Sequence, residues 1–309
     1  MAAKYEVSIV VHEPIKDTGL RRTFPNMISR EGARGQEFNG FMPIDAHNKP
    51  NHTTILPFTR LLSSPMDYTP GIFNLKDYRY NSQSDRTINK NHHIPSTISK
   101  ELALYVIIYA PVQMAADLPS NYEGHPAFQF ILDVPTDWEE TIVLNGEIGK
   151  YITTVRKDIN SDDWFLGSIT NEDSRVLNIN LSFLEDGEEY NGTIYKDVQN
   201  GGWLNSPEEI EIETLLFTNK DSHEIVLPEG GGQAICLALS ASSAVIVGLS
   251  FHGCVTSVWL DGTARNIIYG LCGCMGTVAT TGAHPMQFRP SSTSTPPCPS
   301  PNIVKNHRY

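Results

Sequence analysis

The sequence predicts an α/β region followed by an all-β region, on three observations. Helix-like and strand-like stretches alternate up to residue 135, apolar runs of period two take over after Pro135, and the composition changes again near residue 235. These place an α/β unit at 1–136, an antiparallel β-sandwich at 137–235 and an irregular tail at 236–309.

Val7–Val11 is a short, mostly apolar run that ends in His12 and Glu13. That form suits a buried parallel strand delivering polar side chains at its carboxyl end. Thr53–Leu62 is expected as a short helix and Ser96–Tyr109 as a longer one, opened by Ser or Thr and stopped by Pro111. The apolar run Leu102–Ala116 is interrupted by Pro111 and Gln113 and falls short of the ~20 residues a bilayer requires, so a buried helix followed by a strand is expected. Beyond Pro135, strands are expected at Tyr151–Val155, Trp164–Ile169, Val176–Leu181, Thr193–Tyr195, Ile210–Leu216 and Glu224–Leu227. Asn145-Gly146, Asp186-Gly187 and Asn191-Gly192 read as the turns between such runs.

A chain of 309 residues, 40% of them hydrophobic, has material for a packed core. Its net charge of -12 disfavours nucleic acid and anionic membranes as partners, because both would be repelled, and a neutral or cationic ligand fits better. The stretch before residue 236 holds all but one of the 35 acidic residues and none of the five cysteines. Cys272-Gly-Cys274 has no second pair at a zinc or disulfide-framework spacing, so the thiols read as unpaired. Ala234–Leu260 carries no charge, but its Ser, Gly and Cys content and His252 weigh against a membrane span. Ser291–Pro301 is expected to be irregular. Met1 leads into Lys4, Tyr5 and Glu6 without a charged-then-apolar leader, which leaves the compartment open.

The densest chemistry lies between His12 and Glu37, where Glu13, Glu31 and Glu37 stand among five basic residues and several turn formers. Spacing alone also fits an ion-paired loop on a solvated face. Glycoside hydrolysis needs one carboxyl group to protonate the leaving oxygen and another to activate water or attack. Neighbouring carboxyl groups beside a cation can hold those different protonation states. Three acids on adjacent strand ends also suit calcium, a hard cation that takes carboxylate oxygens. Polar and aromatic side chains such as His52, Asp67 and Tyr68 suit a hydroxylated ring with apolar faces, and loop capping is the alternative. Asp117 is a further candidate of the same kind.

The ordered blocks His12-Glu13-Pro14 through Glu37, His52-Thr53-Thr54 through Arg60, Pro65-Met66-Asp67-Tyr68 and Gln113 through Asp117 resemble glycoside hydrolase family 97. So do Asp163-Trp164-Phe165-Leu166-Gly167 and Pro228 through Ile235, which look like the family's closing domain. The resemblance implies the later strands of a (β/α)8 barrel, with the earlier strands absent, followed by the β-sandwich. It implies Glu37 as general acid, Glu13 as base and calcium ligand, Glu31 and Glu37 as further calcium ligands, and His12 at a sugar hydroxyl. It further implies a terminal α-glucoside or α-linked oligosaccharide as substrate, Ca2+ as cofactor, and association with the missing half or with another chain. Glu13 points to inversion of configuration; the retaining α-galactosidase branch and a non-catalytic remnant are the alternatives. Members of the family are often secreted or periplasmic.

Overall fold

The computed structural model describes residues 1–12, 14, 18–41, 47–76 and 94–240. Glu13, the cysteines beyond Cys236 and the tail from residue 241 lie outside the described residues.

Three chain segments run parallel at the amino-terminal end. Strand β1 (Ile9–Val11) pairs in parallel with β2 (Met27–Arg30), and Arg30 bridges Met66 in parallel. Helix α1 (Leu20–Thr23) fills the crossover, and α2 (Glu37–Phe41) follows β2. The expected strand at Val7–Val11 is therefore shorter, and it is half-buried rather than buried, with Val7 exposed. The expected helix at Thr53–Leu62 is broken into α3 (His52–Ile55) and two 3-10 turns, Leu56–Phe58 and Arg60–Leu62. Pro57 accounts for this, since it has no N–H to donate and its ring crowds the preceding turn. The parallel pair and its bridge are as much of the expected barrel as the described residues hold.

Helix α4 (Ile98–Ile107) is buried at all ten positions. Thr97 opens it as an N-cap, its hydroxyl accepting from Lys100 N at 3.1 Å. Leu102 through Ile107 are apolar or aromatic on every face, the composition of a helix covered all round. The chain leaves helical geometry at Ile108, and no strand follows before Asp117. Side chains tie that segment down instead: Tyr105 OH donates to Met114 O at 2.7 Å and Gln113 Nε2 to Ile108 O at 3.0 Å. With these backbone groups already satisfied, a ladder has less to offer. Two short helices, α5 (Pro119–Tyr122) and α6 (Phe128–Asp133), lead into the β-region.

Eight strands follow: β3 (Trp138–Glu147), β4 (Tyr151–Asp158), β5 (Trp164–Thr170), β6 (Arg175–Asn180), β7 (Tyr190–Asp197), β8 (Ile210–Phe217), β9 (Ser222–Leu227) and β10 (Gly232–Leu239). Six form one antiparallel sheet in the order β3-β4-β5-β10-β7-β8, and β6 pairs with β9 as a second, two-stranded sheet. Helix α4 packs on one face of the larger sheet, sharing a core with Ile152, Phe165, Ile169, Tyr195 and Ala234. On the other face Val155, Trp164, Leu166, Ile194 and Ile235 pack with Ile179, Ile225 and Leu227 of the small sheet. Strand β5 is covered on both sides, so all seven of its residues are buried and its sequence shows no apolar-polar alternation. A Cβ at Gly167 would lie 2.6 Å from Ala103 O, so the glycine lets the helix backbone approach the sheet.

Two expected turns lie inside strands. Asn145-Gly146 belongs to β3, beside a register shift, and Asn191-Gly192 belongs to β7. These glycines serve close packing: a Cβ would meet Phe58 Cζ at 2.9 Å at position 146 and the Phe217 ring at 2.4 Å at position 192. The β3–β4 reversal falls instead at Gly149, whose φ of +76° suits glycine. Strand β10 extends beyond the expected boundary at 235, to Leu239, because it is the central strand between β5 and β7. Among the described residues no helix is long and apolar enough to cross a membrane.

Candidate active site

The three parallel segments deliver a polar side chain each at their carboxyl ends: His12 after Val11, Glu31 after Arg30, and Asp67 after Met66. Backbone bonds carry the register one residue further, from Glu31 N to Val11 O at 2.8 Å and from Asp67 N to Arg30 O at 3.1 Å. The turn after Glu31 is closed by its own side chain, whose Oε1 accepts from Gly35 N at 2.9 Å. Glu37, the first residue of α2, then comes back over the same spot.

These residues meet at His12. Its Nε2 lies 2.6 Å from Asp67 Oδ2, and its Nδ1 lies 3.5 Å from Glu37 Oε2 and 3.9 Å from Glu31 Oε2. Asp67 is 2% exposed, whereas the Glu37 side chain is 48% exposed. Partial burial acts to lower the His12 pKa, but the hydrogen bond and charge of Asp67, joined by Glu31 and Glu37, outweigh it and leave the pKa raised. Once protonated, the ring donates from Nε2 to Asp67 and presents Nδ1–H to the glutamates. Beside it an open groove of about 370 Å³ is lined by Pro14, Glu31, Gly32, Arg34, Glu37 and Phe38. The Arg34 guanidinium lies 4.2 Å from the centre of the Phe38 ring and forms part of that wall.

Two carboxylates converging near one ring nitrogen offer the hard oxygen donors calcium prefers, although fewer than the six to eight it takes. Among the described residues no three His, Cys, Asp or Glu side chains are grouped to hold a metal ion. The remaining glutamate of the expected set, Glu13, is outside them.

The other expected residues have different surroundings. His52 Nε2 pairs with Arg34 O at 2.8 Å, and burial lowers its pKa, so a neutral ring donates to the backbone of the groove wall. Tyr68 is 3% exposed in the core shared with α4, so the expectation that it faces a sugar is corrected: its ring packs, and burial raises its pKa. Asp117 is a capping residue, its two oxygens accepting from Phe73 N, Asn74 N, Leu118 N and Asn121 Nδ2.

Sequence reading passed over Glu101. This fully buried side chain reaches from α4 to the site, and its Oε2 accepts from Gln36 Nε2 at 2.7 Å and Gly71 N at 2.8 Å. It thereby holds the residue preceding Glu37 and the segment that follows Asp67. Burial is the leading cause of its raised pKa. The available signal was the Lys100-Glu101 pair inside an otherwise apolar helix, a position where charge is costly unless it is paired.

Residues 137–238 match the family model described as "Glycosyl-hydrolase 97 C-terminal, oligomerisation", and residues 1–33 match the one described as "Glycoside hydrolase 97". A curated relative, "Retaining alpha-galactosidase" of Bacteroides thetaiotaomicron, is 32% identical over 244 residues, covering 76% of this chain and 34% of the relative. Among solved structures, a glycoside hydrolase family 97 enzyme from a Pseudoalteromonas species in complex with panose is 48% identical, with a TM-score of 0.68. That match covers 77% of this chain and 36% of the other, and the same figures hold for a complex with acarbose. The chain thus spans about a third of the length of these relatives.

Proposed function

The chain belongs to glycoside hydrolase family 97, and from that membership we propose that it brings the proton donor and metal-binding carboxylates to a glycosidase acting on terminal α-glucosides. The observation that carries this reading is the convergence of Glu31, Glu37 and Asp67 on His12 at the edge of one groove. The 48% identical enzyme in complex with panose and with acarbose supports an α-linked oligosaccharide as the substrate class.

In this reading residues 1–136 are the later part of a barrel, with the site at the carboxyl ends of its strands. Glu37, exposed at the start of α2, donates a proton to the glycosidic oxygen as the bond to the anomeric carbon breaks. Glu13 takes a proton from water, which attacks the anomeric carbon from the opposite face and inverts its configuration. His12 is held by Asp67, so its remaining N–H is available to a sugar hydroxyl or to Glu37. Glu13 and Glu31 would hold calcium, whose charge would keep those two carboxylates ionised, with Glu37 a ligand only in the state that has given up its proton.

The test is hydrolysis of an aryl α-glucoside by the purified chain. Turnover that is lost on Glu37→Gln and on treatment with a chelator is the expected result; turnover that survives Glu37→Gln defeats the acid assignment. Sugar binding without turnover in the unsubstituted chain would mark a binding remnant. The 32% identity to a retaining α-galactosidase favours a second reading, an α-galactoside cleaved with retention. NMR of the first product separates them: inversion releases the β-anomer and retention the α-anomer.

A further inference from the structure

Arg60 sits in the second 3-10 turn, 9% exposed, and its guanidinium is surrounded by main-chain carbonyls. Nε donates to Glu31 O at 2.9 Å, Nη2 to Arg30 O at 2.8 Å and to Pro65 O at 3.0 Å, and Nη1 to Ser64 O at 2.9 Å. Nη1 also reaches Ser64 Oγ at 3.0 Å and Ser63 Oγ at 3.3 Å. Four carbonyls from two separate segments therefore share one planar cation. The first pair belongs to the end of β2, where Glu31 leaves the strand. The second pair immediately precedes Met66 and Asp67.

We infer that Arg60 is the positioning residue that fixes Glu31 and Asp67 about His12, and so sets the geometry of the groove. The bonds just described go to backbone carbonyls and serine hydroxyls, so its part is to place other groups. The parallel pairing between these segments is brief, a single bridge from Arg30 to Met66, so ladder bonds alone define their spacing weakly. A guanidinium supplies five N–H donors in a rigid fork, enough to span both segments; an ammonium supplies three from one point. Gly32 is shaped to this role: its φ is +62°, and a Cβ there would lie 2.8 Å from Arg60 Nε. The residue beside Glu31 thus leaves room for the cation that holds Glu31 in place. Compared with Glu101, which anchors the residue before Glu37, Arg60 anchors the other two acids of the cluster.

The inference rests on the proposed glycosidase site for its meaning but has a readout independent of turnover. In the full chain labelled with 15N-histidine, the Nε2–H of His12, bonded to buried Asp67 at 2.6 Å, should give a protected ring resonance assigned by its loss in His12→Gln. Arg60→Lys and Arg60→Met should shift or broaden that resonance while the sheet's amide spectrum is kept. Gly32→Ala, which displaces the guanidinium without removing it, should do the same. Where the chain hydrolyses an aryl glycoside, kcat should fall about 100-fold with KM little changed, the effect of misplacing reacting groups by about an ångström. An unchanged His12 resonance in any folded Arg60 variant overturns the inference. Unfolding of all three variants would also overturn it, since Arg60 would then serve stability alone. A chain without turnover whose His12 resonance moves as described would sink the glycosidase reading and leave the positioning role standing.

Discussion

The groove and the helix-backed sheet are held together in different ways. Around the groove the strands have three and four residues, and the spacing is set by side chains gripping backbone: Arg60 on four carbonyls, Glu101 on two amides, Glu31 on Gly35 N. In the sheet, long antiparallel ladders and two apolar cores do that work, and β5 is sealed on both faces. The lesson is that the two regions should fail differently. Single polar substitutions near the groove should change chemistry with little effect on melting, whereas changes at α4 should melt the whole unit.

The largest contrast is expected from Glu37→Gln. Its side chain is about half exposed, so the melting temperature should hold while the rate drops by about 100- to 10,000-fold, the usual contribution of a general acid. A melting temperature that falls with the rate would erase the distinction. Lys100→Ala tests the opposite pole. Lys100 is fully buried on the sheet side of α4, its Nζ donating to Pro50 O and Thr170 O, both at 2.9 Å, with Asp197 nearby. Desolvation pulls its pKa down to about 8, and removing it should cost about 3–5 kcal/mol in denaturant unfolding by stranding buried partners.

A pH titration sharpens the same point. Burial lifts the Asp197 pKa from 3.8 to about 6, against the hydrogen bond from Gly232 N and the charge of Lys100. The folded chain therefore binds a proton more tightly there than the unfolded chain does. The resulting stability is complete below about pH 4 and is lost as pH rises through about 6. Asp197→Asn should flatten that slope in the melting temperature; an unaltered slope assigns it to another group. The smallest effect is expected from Thr97→Ala, which removes the N-cap of α4 and should cost about 1 kcal/mol. A loss much beyond that would mean that the cap belongs to the buried network below it.

How much was legible in the sequence follows the same division. Strands β4 and β5 inside the sheet and β8 at its edge were found within a few residues, because local composition reports them. Strand β3 was missed: its face is only partly covered, and its register shift places Asn145-Gly146 where a turn is expected. Strand β10 was missed because a central strand buried on both sides reads as one uncharged run. The roles of Glu31, Glu37 and His12 were assigned from resemblance and Asp67 was named from its residue type, and the structure brings these four together. Tyr68 and Asp117 carry the residue types of a sugar site but serve the core and a cap, which no local pattern distinguishes. Arg60 and Glu101 act across 29 and 30 residues, on Glu31 and on Gly71, and such long-range bonds leave no periodic trace.

One consequence follows from Glu101, a single carboxylate oxygen shared between the loop before Glu37 and the chain after Asp67 while riding on α4. The groove has no independent thermal life, because its acids are moored to a helix that cannot leave the sheet without dissolving the common core. Calorimetry should record the groove and the sheet melting in the same peak, and any lineage that tunes the sheet for heat or cold would retune the groove along with it.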